Sequence, residues 1–519
     1  MSEPAGDAAV GERRPPGRIF VNLSANLVGQ SVALLAGVVC VPIYLRLLGA
    51  EAIGLIGFSL GLQAIIRILD LGMSSAVVRQ VARLGDHAAR AGELAEFFAT
   101  FERLYAAAAA AIAVLALLLS PLVATHWLHA QHLSSGQIAF AVAAICVQGA
   151  ALFMETVYHG TLIGLERQVR FNRIRVIETA AGPFGAVLLL TVWVARVEVL
   201  FGWGLVVTLA ALVAYARAAR AALPEGRPAG AFCFAHVRAV WPFAIGMAGI
   251  STTGTILMNM DKVLLGRWLH LGTFGYYTLA FYAASLMNGL LVAPVFNALF
   301  PRACALADRA DVAGEGRLYH LALQGLVTMV WPVATILWVF AAPLLGLWVG
   351  DAGAAAAAAA VLPYLAAGFA LNTLMVPAYM LQLAHAWTTL GLRLNLVLIA
   401  VFAPLLYALT VRWGLAGAAA SFALMQAAYL LAGLPLTHLR LLRDALGEVL
   451  ARDLLPGVTL CVVAAAALTA LRDRVTAVAP PARYALIALA WAVLAAATAM
   501  VSSRVRPILT LRRAPFSEL

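Results

Sequence analysis

Gln63, Arg67, Asp70 and Ser74 interrupt an otherwise apolar stretch at intervals of four, three and four residues. That spacing places them on one face of a helix. A guanidinium on such a face is suited to holding an anion. Its planar fork makes paired bonds to phosphate or carboxylate oxygens and stays ionised in a low-dielectric cleft. The plainer reading is an Arg67–Asp70 pair that locks the helix, with Arg67 reaching toward the membrane surface. Asn259, Asp261, Lys262 and Arg267 form a second set that could bind the polar headgroup of a ligand, although Lys262 and Arg267 also suit interfacial anchors. Arg46 carries the same ambiguity, with the anchor favoured. Glu155 and His159 stand one turn apart with Tyr158 between them. A carboxylate and an imidazole so placed can exchange a proton or cation, and Asp70 is a further carboxylate for that task. The alternative is a structural hydrogen-bonded pair. Glu178 is expected to pair with Arg175 or another basic residue and is assigned no role.

These charges matter because of where they lie. Hydrophobic residues make up 63% of the 519-residue chain and charged residues 11%, with a mean hydropathy of +0.93. Water cannot solvate that much apolar surface, so lipid must be the solvent. Apolar runs fall at 20–45, 52–78, 99–125, 137–163, 176–195, 199–216, 240–260, 272–300, 319–345, 354–383, 394–411, 414–435, 454–471 and 484–501. The expected fold is therefore all-α, a polytopic inner-membrane protein with about 14 transmembrane helices, each roughly 20 residues long. The runs do not alternate in polarity, which excludes barrel strands. An ionisable group near mid-bilayer costs about 2.5–3.5 kcal/mol on insertion scales, so each one needs a partner or a task.

Basic residues sort by side. Twenty-six lie in the segments that share a compartment with the termini and eight on the opposite side. The positive-inside rule then places both termini in the cytoplasm. Net charge of +11 is mostly this sorting and needs no nucleic-acid partner; contact with anionic membrane lipids follows from it. Residues 1–18 are polar and Pro-rich and do not read as a cleavable signal. The five cysteines are scattered without paired spacing, so no disulfide framework or metal site is expected. Lys262 is the only lysine and follows Asp261, which excludes a Gly-Lys-Ser/Thr phosphate loop, and no cofactor is expected. Connections near 217–238 and 436–452 are too short for a catalytic domain, so enzymatic activity is not expected. In the latter, Leu439, Leu442, Leu446, Val449 and Leu450 oppose Arg440, Arg443 and Arg452, the pattern of a helix lying on the membrane surface.

The second half echoes the first. RLLGAEAIGLIGF at 46–58 matches RWLHLGTFGYYTL at 267–279, aligning Gly54 with Gly275. DLGMSSAVVRQVAR at 70–83 corresponds to APVFNALFPRACAL at 293–306, with Arg79 and Arg302 at matching span ends. GLERQVRFNRIR at 164–175 and LAHAWTTLGLRLN at 383–395 each precede two spans joined near a Trp-Gly-Leu, at Trp203 and Trp413. Paired halves are the usual trace of a carrier whose site lies at their interface. Among in-span glycines and prolines, Gly72 and Pro42 are the candidate flexible points.

Through the first pair of segments, together with MDKVLLGRWLHLGTFGYYTLAFYAASL at 260–286 and LFPRACAL at 299–306, the chain resembles the polysaccharide-unit flippases. These belong to a superfamily that also holds multidrug/toxin extruders and the murein-precursor flippase. The resemblance implies two pseudo-symmetric six-helix bundles in a V, at 19–225 and 226–437, and a lipid-linked oligosaccharide as substrate. The remaining expectations are cytoplasmic tails at 1–18 and 504–519, the surface helix at 438–453 and an additional span pair at 454–503. Under this resemblance Arg67 would meet the diphosphate of the lipid carrier. A polysaccharide polymerase is a candidate partner, and a proton or cation gradient a candidate driving force. The rival readings are an ion-coupled organic-cation extruder, a murein-precursor flippase and a non-transporting scaffold for polysaccharide synthesis.

Overall fold

Lipid offers no hydrogen bonds to an open backbone, so a chain of this composition must satisfy its backbone internally. The computed structural model describes residues 35–85, 90–223, 232–442 and 446–509, and no strand occurs among them. The first half comprises α1 (Leu35–Leu48), α2 (Ala50–Ile68), α3 (Met73–Gly85), α4 (Ala91–His126), α5 (Ser135–Gly164), α6 (Gln168–Val192) and α7 (Val197–Arg220). The second half opens with α8 (Phe234–Trp268), α9 (Leu271–Met287) and α10 (Ala293–Asp308). It continues through α11 (Val312–Val339), α12 (Ala341–Val349), α13 (Ala352–Ala359), α14 (Leu362–Ala384) and α15 (Thr388–Thr437). The chain then runs through α16 (Leu446–Val449), α17 (Leu455–Ala477), α18 (Pro480–Val501) and α19 (Val505–Leu509). Eleven stretches among the described residues are long and apolar enough to cross a membrane. One of them contains α15, which turns sharply at Gly414 (φ 58°, ψ −136°).

The two echoed segments pack directly on one another. A Cβ on Gly54 would lie 2.3 Å from the Leu271 carbonyl oxygen, and one on Gly275 would lie 2.0 Å from that of Ala50. Ala50 and Gly54 exchange places with Leu271 and Gly275, so α2 and α9 cross at a local pseudo-two-fold. Glycine is required here because the helices touch backbone to backbone.

Around this crossing the apolar interior is continuous. A single core joins residues of α1, α2, α5, α8, α9, α14 and α15 at the arginine-poor end. At the arginine-rich end the interior divides. One cluster gathers Val77, Val81, Phe97, Phe101, Tyr105 and Tyr215 of the first half; the other gathers Leu318, Leu323, Leu374, Leu381 and Leu434 of the second. Val240 and Ala244 belong to the first cluster although α8 opens the second half. The α8 helix thus straddles both bundles.

Two local expectations change. Leu442 and Val449 are buried, and Leu446 and Leu450 pack against the second bundle, while Leu439 alone of the five is exposed. Most of the stripe therefore docks on protein, because a protein core offers close-packed partners; Arg443 lies outside the described residues. The Trp-Gly-Leu match also loses its structural meaning. Gly414 forms the turn itself, whereas Trp203 lies inside α7 and donates to the Ala181 carbonyl at 2.9 Å. The C-terminal pair is fastened by Gln324 on α11. Its amide donates to Asp453, and its oxygen accepts from the Ser502 hydroxyl at 2.6 Å and the Arg504 N–H at 2.8 Å.

The crossing can be tested with purified protein. Gly275→Ala should lower the thermal midpoint in detergent markedly, since overpacking costs about 1–3 kcal/mol even where side chains can yield. Gly346→Ala, where nothing lies within 4 Å of an added Cβ, should leave it unchanged or slightly higher.

Candidate functional site

The expected polar face on span two is not one continuous face. The chain breaks between α2 and α3, with Leu71 (φ 49°) and Gly72 (φ 74°) in the left-handed region. Gly72 tolerates that conformation and Leu71 is strained by it. Pro42, the other candidate flexible point, sits within an unbroken α1. Asp70 is placed by the break to accept the Ser74 N–H at 3.1 Å and the Ser74 hydroxyl at 2.7 Å, capping α3. Its other oxygen accepts from the Tyr105 hydroxyl. No Arg67–Asp70 ion pair forms among the described residues, so the helix-lock reading of Arg67 is not the arrangement adopted. Arg67 is exposed on the last turn of α2, with Gln63 half-buried one turn earlier. Among the described residues Arg67 makes no hydrogen bond or ion pair. Another cation, Arg175 of α6, lies in its electrostatic neighbourhood.

Arg175 connects this end of α2 to a buried polar group in the same bundle. Glu155 of α5 is fully buried, and neither carboxylate oxygen has a hydrogen-bond donor. His159 Nε2 stands 3.7 Å away and is likewise without a hydrogen bond. The structural hydrogen-bonded pair anticipated for these two residues is therefore not closed. His159 is held instead by aromatic edges, its ring 4.3 Å from Tyr215 and 4.9 Å from Phe171. Glu178 and Arg175 are the charged neighbours of Glu155, and Glu178 lies against Tyr215. Arg175 is an electrostatic neighbour of Glu178, but no ion pair between the two forms among the described residues.

The polar set of the second half is self-contained. Lys262 and Asp261 are buried. The ammonium donates to the Met258 carbonyl at 3.0 Å and to Asp261 at 3.2 Å, and lies 3.7 Å from the Phe281 ring centroid. Tyr277 donates to Asp261 Oδ2 at 2.8 Å, an oxygen that Lys262 also reaches at 3.5 Å. Asn259 bonds back to the Thr255 carbonyl at 3.0 Å. Arg267 is exposed at the end of α8. Arg46, also exposed, donates to the Val349 carbonyl at 3.1 Å and ties α1 to the end of α12, an anchoring contact between the halves.

Several contributors escape sequence reasoning. Tyr105, Tyr215, Tyr277 and Phe281 arrive from other helices and carry no local pattern. Glu51 is the other omission. It is buried and accepts from the backbone N–H groups of Gln131 (2.6 Å), His132 (3.0 Å) and Leu133 (2.9 Å). An acid in the first turn of α2 was visible in the sequence; the loop it grips was not.

The described residues form an all-helical membrane fold whose second half echoes the first, and this fold has counterparts among solved structures. The structure of the lipid II flippase MurJ in an inward closed conformation superposes with a TM-score of 0.72 at 11% identity, covering 95% of this chain and 100% of that one. An inward-facing multidrug resistance MATE transporter of the MOP superfamily gives 0.59 at 14% identity, covering 81% and 98%. The MATE multidrug transporter DinF-BH in complex with R6G gives 0.54 at 15%, covering 85% and 98%. At these identities the likeness is one of fold. No curated protein sequence matches the chain. Residues 43–357 match the family model described as polysaccharide biosynthesis protein, and the chain belongs to that family. It is a multi-pass membrane protein with a flippase-like fold.

Removing one member of a buried ion pair costs about 3–5 kcal/mol, whereas replacing both can be nearly neutral. Lys262→Met should therefore destabilise the protein strongly. The double variant Asp261→Asn/Lys262→Met should recover most of the loss in thermal midpoint.

Proposed function

We propose that this protein is a flippase that carries an undecaprenyl-diphosphate-linked oligosaccharide across the inner membrane by alternating access, in O-antigen, capsule or exopolysaccharide assembly. Its termini and arginine-rich end would face the cytoplasm. The observation that carries the reading is Arg67 itself, a guanidinium on the last turn of α2 with no hydrogen bond or ion pair among the described residues and with a second cation, Arg175, in its electrostatic neighbourhood. A cation in a low-dielectric setting is stabilised by a nearby anion, and Arg175 already has Glu155 and Glu178 as charged neighbours. Arg67 has no such partner within the described protein. A diphosphate offers several acceptor oxygens to two guanidinium forks at once. Membership in a polysaccharide biosynthesis family favours a glycan on that diphosphate over a free drug cation.

The mechanism follows from the division of the core. The diphosphate would be held by Arg67 and Arg175 at the end where the bundles have separate interiors, with the lipid tail remaining in the bilayer. Rocking about the shared core would then expose the headgroup outside. Only a ligand that binds the two states unequally can drive that exchange. Glu155 supplies a candidate for the second ligand. A buried carboxylate without donors bears an uncompensated desolvation cost, which a bound proton or cation removes. The ion-coupled role expected of Glu155 and His159 is thereby proposed with Glu178 added, while Asp70 serves α3.

Arg67→Gln should abolish surface polysaccharide while leaving protein level and thermal midpoint unchanged; undiminished export would remove Arg67 from the mechanism. Glu155→Gln should slow export and flatten its dependence on an imposed proton gradient in vesicles. If the gradient dependence of that variant matches wild type, the coupling role of Glu155 is refuted.

A further inference from the structure

One group of chemically reactive side chains takes no part in the site above. Cys233 and His236 stand at the start of α8, and Glu96 faces them from α4. One ligand atom from each, the Cys233 thiol, a His236 ring nitrogen and a Glu96 carboxylate oxygen, lies within 4.8 Å of both others. His236 Nε2 and Glu96 Oε2 are 3.7 Å apart. That is too long for a hydrogen bond and close to the edge of a zinc tetrahedron, which bond lengths near 2.0–2.3 Å set at about 3.3–3.6 Å. His236 Nε2 is buried without a hydrogen-bond partner, a single unsatisfied ring nitrogen that calls for explanation.

The surroundings hold these residues in place. The Cys233 N–H donates to Thr100 Oγ1 at 3.1 Å, pinning the start of α8 to α4. The His236 ring packs edge-on against Phe97, with centroids 5.7 Å apart. All three residues are only partly exposed. Sulfur, imidazole and carboxylate donors together favour zinc-class ions over magnesium or calcium, which prefer oxygen alone.

We propose that Glu96, Cys233 and His236 form a site for a zinc-class divalent cation, with water in the fourth position, that staples the start of α8 to the first bundle. The location gives such a site leverage. The α8 helix opens the second half, yet Val240 and Ala244 pack into the core of the first, at the end where the two interiors are separate. A metal bridging α4 and α8 fixes this crossing point and resists any movement of α8 away from α4. The assignment does not depend on what the protein transports.

Full-length protein, stripped with chelator and freed of any polyhistidine tag, is titrated with zinc against a chromophoric chelator. One equivalent should bind, and it should raise the thermal midpoint. Cys233→Ser and His236→Gln, each compared with wild type by metal-free thermal midpoint and gel filtration, should weaken binding at least tenfold and lose the zinc-induced rise. Glu96→Gln should weaken it less. Cobalt in place of zinc should give a thiolate-to-metal charge-transfer band in wild type and none in Cys233→Ser. Absence of binding by wild type, or affinity unchanged in both Cys233→Ser and His236→Gln, would overturn the site.

Discussion

The contact of Gly54 and Gly275 with each other's helix backbones is the constraint from which the architecture follows. Between membrane helices there is no hydrophobic gain to spend on association, because lipid tails are as apolar as leucine. Close approach of backbones supplies dispersion instead, and only glycine permits a Cβ position 2.0–2.3 Å from a carbonyl oxygen to stay empty. That crossing joins the halves at the arginine-poor end and lets one continuous core form there. The divided interior at the other end is its complement.

Symmetry of fold is not matched by symmetry of charge. In the second half two buried carboxylates have close partners, although Glu315 Oε1 and His236 Nε2 make no hydrogen bond. Asp261 holds Lys262 and Tyr277, and Glu315 meets His385 at 2.8 Å. In the first half Glu155 lacks donors and Arg67 lacks a counter-ion among the described residues. Satisfied pairs brace a structure, whereas unsatisfied groups mark places where a ligand or proton completes the balance. The proposed anion and coupling roles therefore fall together on the first bundle.

Sequence and structure agree where lipid or backbone contact dictates residue type. Long apolar runs had to be helices, and the paired glycines retained their alignment because no other residue fits. The break at 69–72 was harder to read. Gly72 drew attention, but Leu71 in a left-handed conformation has no local signature, and a spacing of four, three and four looks the same on a broken helix. The residues that complete the polar clusters come from distant positions. Tyr105 reaches Asp70 across 35 positions and Tyr277 reaches Asp261 across 16. Trp-Gly-Leu shows the opposite failure, an identity of letters at places of different shape. Cysteine spacing gives no sign of the proposed Glu96–Cys233–His236 site, because its ligands differ in type and Glu96 comes from another helix.

The grip of Glu51 on the 131–133 loop has a consequence of its own. It engages three main-chain N–H groups and no side chain of the loop. The exposed side chains of Gln131 and His132 are thereby released from any duty in holding the loop's shape. Such a loop can change its chemical face to the surroundings while its trace stays fixed, so the protein can diversify that surface without refolding it.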